Sequence, residues 1–330
     1  MWAAVVMATI VVASEQDVTR PTFAQWLEGV REEALGRGIR PAILDAALTD
    51  IDEPLTTVVE RDRAQPETVQ TLEHYVSQRV TSAVVRSGRQ LVAKHRSILN
   101  RVSEAYGVPA PVIVAIWGME SNFGRFSGTY PVVPALATLA WDGRRSTFFR
   151  GELLDALEVL NREDIELERL RGSWAGAMGQ PQFMPSSFLQ FAEDFDADGR
   201  RDIWGNPADI FASVGNYLRG HGWVTGYRWG REVHVEPDVA DKIQNDVARR
   251  NGSCSAKRSM IGALPLEAWQ RLGVRLLDGS RLPIADQEAW LVQGASRNFL
   301  VYQNYDVILA YNCAHAYAVS VALLSERISG

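Results

Sequence analysis

Glu120 is the residue of this chain best placed to move a proton. It ends the run Pro109-Ala110-Pro111-Val112-Ile113-Val114-Ala115-Ile116-Trp117-Gly118-Met119-Glu120, which is otherwise uncharged and mostly apolar. Ser121-Asn122-Phe123-Gly124 follow. Pro111 suits the first turn of a helix and Gly124 the residue just past its end. Such a helix sets Ile113, Ile116, Trp117 and Glu120 on one stripe, because residues three and four apart stack on a face. A carboxyl on a buried stripe, near the negative end of the helix dipole, is disfavoured twice as an anion, and both effects raise its pKa. A carboxylic acid that keeps its proton near neutral pH is what cleavage of a glycosidic bond requires of its proton donor. The competing structural reading is a glutamate paired with a buried arginine, or one turned outward past the helix end.

Three further segments stand out. In Ser173-Trp174-Ala175-Gly176-Ala177-Met178-Gly179-Gln180-Pro181-Gln182, small residues let backbone approach a ligand, and Ser173 and Gln182 can donate and accept hydrogen bonds. The alternative is a tight helix crossing lined by Ala and Gly. In Trp141-Asp142-Gly143-Arg144-Arg145, paired arginines suit carboxylate recognition, although a solvated turn is the favoured reading of that segment taken alone. The third, Asp194-Phe195-Asp196-Ala197-Asp198-Gly199-Arg200-Arg201-Asp202, follows the start of a calcium loop. Acids stand at its first, third, fifth and ninth positions, Gly199 at the sixth, and the Arg200 carbonyl at the seventh. Gly205 replaces the usual glutamate at the twelfth, and Asp209 is the substitute from the next turn. Arg200 and Arg201 acting as internal counter-ions is the rival reading.

The elements that must position these groups are mostly helical. The chain has 330 residues, a net charge of -6 and 46% hydrophobic residues, an ordinary globular composition long enough for two or three lobes. The mildly acidic balance argues against a nucleic-acid binder. Ten tryptophans offer weak support for a sugar site, since indoles stack on sugar faces but more often fill cores. The apolar start, Met1 to Ser14, is too short to span a membrane and reads as the core of a secretory signal, with Val11-Val12-Ala13 as cleavage tripeptide. Residues 20–105 read as helices, the longest over Val85 to Tyr106. A further helix is expected over Gly151 to Asp164, and a last one over Val307 to Ile328. From Val224 to about Arg297 the texture turns to short strands, at Val233-His234-Val235, Gly273 to Leu277 and Ala289 to Val292. Cys254 and Cys313 lack the companion histidines of a zinc site; a disulfide between them is neither required nor excluded by their spacing.

Together these segments resemble the lytic murein transglycosylase B family, comprising the membrane-bound enzyme and its soluble relatives. The resemblance runs from about Phe23 to the C-terminus. It rests on Tyr106-Gly107-Val108-Pro109, Gly118-Met119-Glu120-Ser121-Asn122-Phe123-Gly124, Gly176-Ala177-Met178-Gly179, Gln182-Phe183-Met184-Pro185-Ser186-Ser187 and Tyr311-Asn312, in that order. It implies an α+β, mainly α, fold: a lysozyme-like helical core, an N-terminal helical lobe and a small inserted β-rich lobe. The expected divisions are a signal peptide over 1–14, the N-terminal lobe over 15–84, the core over 85–223, the β-rich lobe over 224–297, and a segment completing the core over 298–330. It further implies Glu120 as catalytic acid, and Tyr75, Arg144, Arg145, Ser173, Gln182, Tyr311, Asn312 and Tyr317 along the substrate cleft. A structural calcium ion would sit at Asp194, Asp196, Asp198, Arg200 and Asp202, with Asp209 as outer ligand; no organic cofactor is implied. Where many relatives carry His, this chain has Cys313.

Glycosidases ordinarily flank the bond with two carboxylates. Here one acid stands out and no second lies near it, which matches the family's single-glutamate chemistry. The implied activity is periplasmic cleavage of the MurNAc–GlcNAc β-1,4 bond of peptidoglycan strands, leaving 1,6-anhydromuramyl ends. The rivals are a hydrolysing muramidase and a non-catalytic murein-binding scaffold. No transmembrane anchor is expected.

Overall fold

The computed structural model describes residues 21–64, 70–142, 145–252, 254–285 and 287–330. The expected signal segment and Arg144 lie outside the described residues. The fold is mostly helical, with two small antiparallel sheets.

Its centre is the helix Ala110–Ser121, entered at Pro109 and carrying Pro111 in its first turn. Val112 through Trp117 are all buried, so the helix is enclosed on every side rather than along one stripe. No side chain caps its N-terminus. Burial holds it instead, each large apolar side chain contributing about 1.5–3 kcal/mol. The final helix, His315–Ser329, packs along it, with Tyr317 to Leu324 buried. Ser82–Lys94, Arg96–Tyr106 and Pro207–Gly220 pack around the same centre.

The expected long helix over Val85 to Tyr106 is two helices that break at His95. The His95 ring meets Trp117 and Phe211 edge-on, at 6.1 and 5.4 Å between centroids, and the chain bends to seat it. The helix expected from Gly151 starts earlier and runs Ser146–Asn161. The expected last helix is likewise two, Gln303–Tyr311 and His315–Ser329, meeting at 115° around Asn312.

Preceding the centre in sequence, Phe23–Gly36, Pro41–Leu48 and Thr56–Arg63 pack on Val132–Trp141 and Ser146–Asn161. Thr22 caps the first of these with a reciprocal bond to Gln25. Leu72–Arg79 instead lies against the final helix, which brings its tyrosine to the far end of the chain.

The β-rich region is a four-stranded antiparallel sheet whose strands run, in spatial order, Gly230–Val233, Asn298–Val301, Glu288–Gln293 and Ile261–Pro265. The sheet thus takes in residues past 297. It has its own small core of Val233, Ile243, Trp269, Leu291 and Leu300, among others. The strand expected over Gly273 to Leu277 does not form. Gly273 ends the helix Leu266–Leu272 in the left-handed conformation, and only Arg275 bridges, to His234. The smaller sheet pairs Tyr130 with Gly172 and Pro131 with Arg171. No single helix among the described residues is long and apolar enough to cross a membrane.

Candidate active site

Glu120 stands in the last turn of the central helix, and the chain then reverses sharply. Asn122 and Phe123 both take left-handed backbone, with φ of 49° and 59°, so the helix stops there and not at Gly124. Ser121 braces the turn: its hydroxyl donates to the Trp117 carbonyl at 3.1 Å and accepts from the Gly124 N–H at 3.0 Å. The Phe123 ring folds back onto Gly118, where a Cβ would stand 2.6 Å from it. Gly124 is required twice over, by its φ of +80° and because a Cβ would lie 2.2 Å from Gln180 Oε1.

The carboxyl of Glu120 accepts a 2.5 Å hydrogen bond from the Tyr317 hydroxyl, donated by the final helix. Glu120 keeps a small solvent-facing surface, but the protein encloses it closely. Desolvation is the largest influence and raises its pKa; the Tyr317 bond and the Arg79 charge pull the other way without cancelling it. The balance leaves it at about 7. The acid thus sits near neutrality, ready to give a proton or to take one back.

A group of tyrosines surrounds it. Its charge is felt at Tyr75, Tyr217, Tyr311 and Tyr317, and all four phenols are held above their ordinary pKa, chiefly by burial. They therefore remain neutral donors. Tyr311 donates to the Pro181 carbonyl at 2.7 Å, and its ring stacks with that of Tyr317 at 6.5 Å. Tyr217 donates to the Ala310 carbonyl at 2.8 Å and packs against Tyr311 at 4.6 Å. Tyr75 lies under the Arg79 guanidinium, 5.5 Å from its ring centre. Tyr217 was not among the expected residues; a tyrosine inside a helix otherwise full of core residues carries no sign of its neighbours.

The other expected cleft residues fall into distinct places. The Ser173 hydroxyl accepts from the backbone of Ala175 (3.3 Å) and Ala177 (3.1 Å), which leaves its own proton to donate. A Cβ on Gly128 would strike Gly172 at 2.0 Å, so the loop after Glu120 is pressed against the Ser173 turn. Gln182, at φ 54°, spends its amide on the carbonyls of Ser127 (3.0 Å) and Gly179 (2.7 Å), clamping that turn to the same loop. Asn312 is exposed and extended at the break between the last two helices. Arg145 points to the N-terminal helices: its guanidinium pairs with Asp62 at 3.5 Å and covers the Phe149 ring.

Gln180, which the sequence pattern does not single out, links several parts of the site. Its Oε1 accepts from the Trp117 indole at 2.7 Å, its Nε2 donates to the Trp204 carbonyl at 2.6 Å, and its N–H donates to Ile203 O at 2.9 Å. One side chain therefore joins the Glu120 helix to the acidic loop.

In that loop, carboxylate oxygens of Asp194, Asp196 and Asp209 lie within 4.8 Å of one another. Asp209 is buried and accepts from the N–H groups of Phe195 (2.8 Å) and Asp202 (2.9 Å). Burial above all, opposed by those two bonds and reinforced by Asp196 and Asp194, pushes it up to about 6. Asp198 and Asp202 stand outside this trio and accept from the backbone of Arg200 and of Trp204 and Gly205. The flanking arginines turn outward, Arg200 to Glu166 at 2.8 Å and Arg201 to Asp164, so they do not act as the counter-ions of the trio. An all-oxygen trio of mutually repelling carboxylates fits a hard divalent cation.

The chain is similar to known proteins in sequence and in fold. A family model described as the transglycosylase SLT domain matches residues 22–326. The chain is 43% identical over 148 residues to the membrane-bound lytic murein transglycosylase B of Escherichia coli, a stretch covering 44% of this chain and 41% of that protein. The match therefore spans less than half the length of that curated relative. SltB3 of Pseudomonas aeruginosa, solved in complex with NAG-anhNAM-pentapeptide, is similar at a TM-score of 0.84 and 39% identity, over 93% of this chain and 80% of that one. An Escherichia coli lytic transglycosylase solved in complex with calcium is similar at a TM-score of 0.76 and 28% identity, over 95% and 94% of the two chains.

Proposed function

The chain belongs to the transglycosylase SLT domain family, and from that premise we propose that it is a peptidoglycan lytic transglycosylase working through Glu120 alone. The observation that carries this reading is the Glu120 carboxyl, held near pH 7 by burial and touched by the Tyr317 hydroxyl.

The cycle has two proton transfers. Protonated Glu120 donates to the oxygen joining N-acetylmuramic acid to N-acetylglucosamine, and the bond to the anomeric carbon breaks. The charge left on Glu120 is met by the Tyr317 O–H and the Arg79 field, which lower the energy of the anion. Positive charge at the anomeric carbon is relieved by the substrate's own acetamido group and by the negative ends of nearby dipoles, such as those of Ser173 and Asn312. Glu120 then removes the proton of the muramyl 6-hydroxyl, whose oxygen closes onto the anomeric carbon. The acid is restored, no water is consumed, and a 1,6-anhydro end remains.

Tyr75, Tyr311 and Tyr317 form the aromatic wall for the strand, Gln182 keeps the Ser173 turn in place, and Arg144 and Arg145 take peptide carboxylates. Asp194, Asp196 and Asp209 hold a calcium ion whose charge neutralises the loop. The substrate sets the place of action, the periplasm, which the chain reaches through its leading apolar segment. Residues 15–84 and 85–223 serve as N-terminal lobe and core, the β-rich lobe from 224 runs past 297 to take in the strand Asn298–Val301, and the helices Gln303–Tyr311 and His315–Ser329 complete the core.

Mass spectrometry of digested sacculi tests the reading. Anhydromuramyl products from the wild type and none from Glu120→Gln are expected. Reducing ends, heavier by one water, would make the protein a hydrolase; sacculus binding without products would make it a scaffold.

A further inference from the structure

The Cys254–Cys313 disulfide joins two parts of the chain with unequal roles. Its Cα atoms are 5.9 Å apart and 59 residues separate them in sequence. Cys313 directly follows Tyr311 and Asn312, at the break where the last two helices turn by 115°. Cys254 precedes the short helix Ser255–Ser259, in the connection leading to the sheet strand Ile261–Pro265.

Asn312 is held only lightly by its own backbone: its N–H reaches Ile308 O at 3.4 Å, and its carbonyl accepts from Ala314 at 2.8 Å. On its N-terminal side Tyr311 is pinned to Pro181. On its C-terminal side the anchor is the disulfide, reinforced by Ser259 Oγ against His315 Nε2 and Tyr305 Oη against His315 Nδ1, both at 2.9 Å. Burial keeps that imidazole neutral, with its pKa lowered to about 4, so these bonds persist across the working pH range. Cys313 is exposed, so a soluble thiol can reach the bond.

We propose that the Cys254–Cys313 disulfide positions the Tyr311–Asn312 wall of the cleft, so that glycan affinity depends on its oxidised state. Cys254 and Cys313 are positioning residues, acting through Asn312. The inference rests on the cleft assignment made above. Because the chain contains 2 cysteines, a thiol reagent reads this bond alone.

The test uses the full chain in three forms: oxidised, reduced with dithiothreitol, and reoxidised. Cosedimentation with sacculi gives affinity, release of anhydromuramyl product gives KM and kcat, and a thermal melt reports folding. Reduction raises Kd and KM by about tenfold, a binding loss of about 1.4 kcal/mol, with a smaller change in kcat. Reoxidation restores both. The Cys254→Ser/Cys313→Ser protein, where it folds, behaves as the reduced form. A reduced protein that melts lower but binds and turns over as before makes the bond a plain staple and overturns the proposal. Absence of product from the oxidised protein sinks the enzyme reading instead, and the binding comparison still decides the role of the bond.

Discussion

Tyr317 donates its phenolic proton to Glu120 across 197 residues of chain, at 2.5 Å. The bond favours the carboxylate, whereas the enclosure around it favours the acid. The two influences act in opposite halves of the proposed cycle.

Tyr317→Phe removes the larger of the two influences that favour the anion and leaves the Arg79 charge. A hydrogen bond to a charged group is worth about 1.5–3 kcal/mol, or about one to two pK units. The basic limb of the kcat/KM profile, set by loss of the Glu120 proton, is expected to move upward by that amount. A limb that stays in place would show that the phenol does not tune this acid.

Glu120→Gln removes activity and adds stability, but only over part of the pH range. The folded pKa of about 7 lies above the ordinary 4.5, so between these values the native state binds more protons than the unfolded state. Wild-type stability therefore falls as pH rises from about 4.5 to about 7 and levels off beyond. The amide has no charge to bury, so its advantage grows across that window to at most about 3 kcal/mol. Urea unfolding of both proteins at pH 4.5 and pH 7.5 measures it; a constant difference contradicts the buried-acid account.

Calcium is expected to raise the melting temperature relative to chelator, because a ligand that binds only the native state adds about 2.7 kcal/mol at a hundred times its Kd. Asp196→Ala and Asp194→Ala should each remove the increment. Asp198→Ala, outside the trio, should keep most of it. Coincident melting curves in calcium and chelator would refute the metal site.

Glu73 links the helix that carries Tyr75 to the tip of a β-hairpin. It accepts the N–H groups of Ser296 at 2.8 Å and Arg297 at 3.1 Å, and Arg297 in turn pairs with Glu232 at 2.6 Å. Burial alone would raise its pKa, but the backbone donors together bring it below the ordinary value. Its stabilising effect is therefore present above pH 4.5 and is lost as pH falls through the lowered folded pKa. Glu73→Gln should cost about 1–2 kcal/mol at neutral pH and much less in acid. An equal loss at both pH values would point to packing instead of charge.

The parts legible in the chain are those in which a residue conflicts with its own surroundings. Glu120 contrasts with an oily run, and the aspartates crowd together within nine positions, so both are visible without a structure. The helix break at His95 is not, because it depends on Trp117 and Phe211 lying across from it. The Gly273 segment carries β-forming residues, yet a glycine that ends a helix overrides them. In the sequence Gln180 is only a polar residue in a run of small ones. Its role depends on an indole 63 positions away and a carbonyl 24 positions away, which local patterning does not encode.

The Trp117–Gln180–Trp204 connection gives the Glu120 helix a second anchor. Trp117 donates its indole N–H to a side chain that itself donates to the acidic loop, and Trp117 lies one turn before Glu120. Any shift of the acidic loop therefore reaches the turn that carries Glu120 through two hydrogen bonds made by one amide.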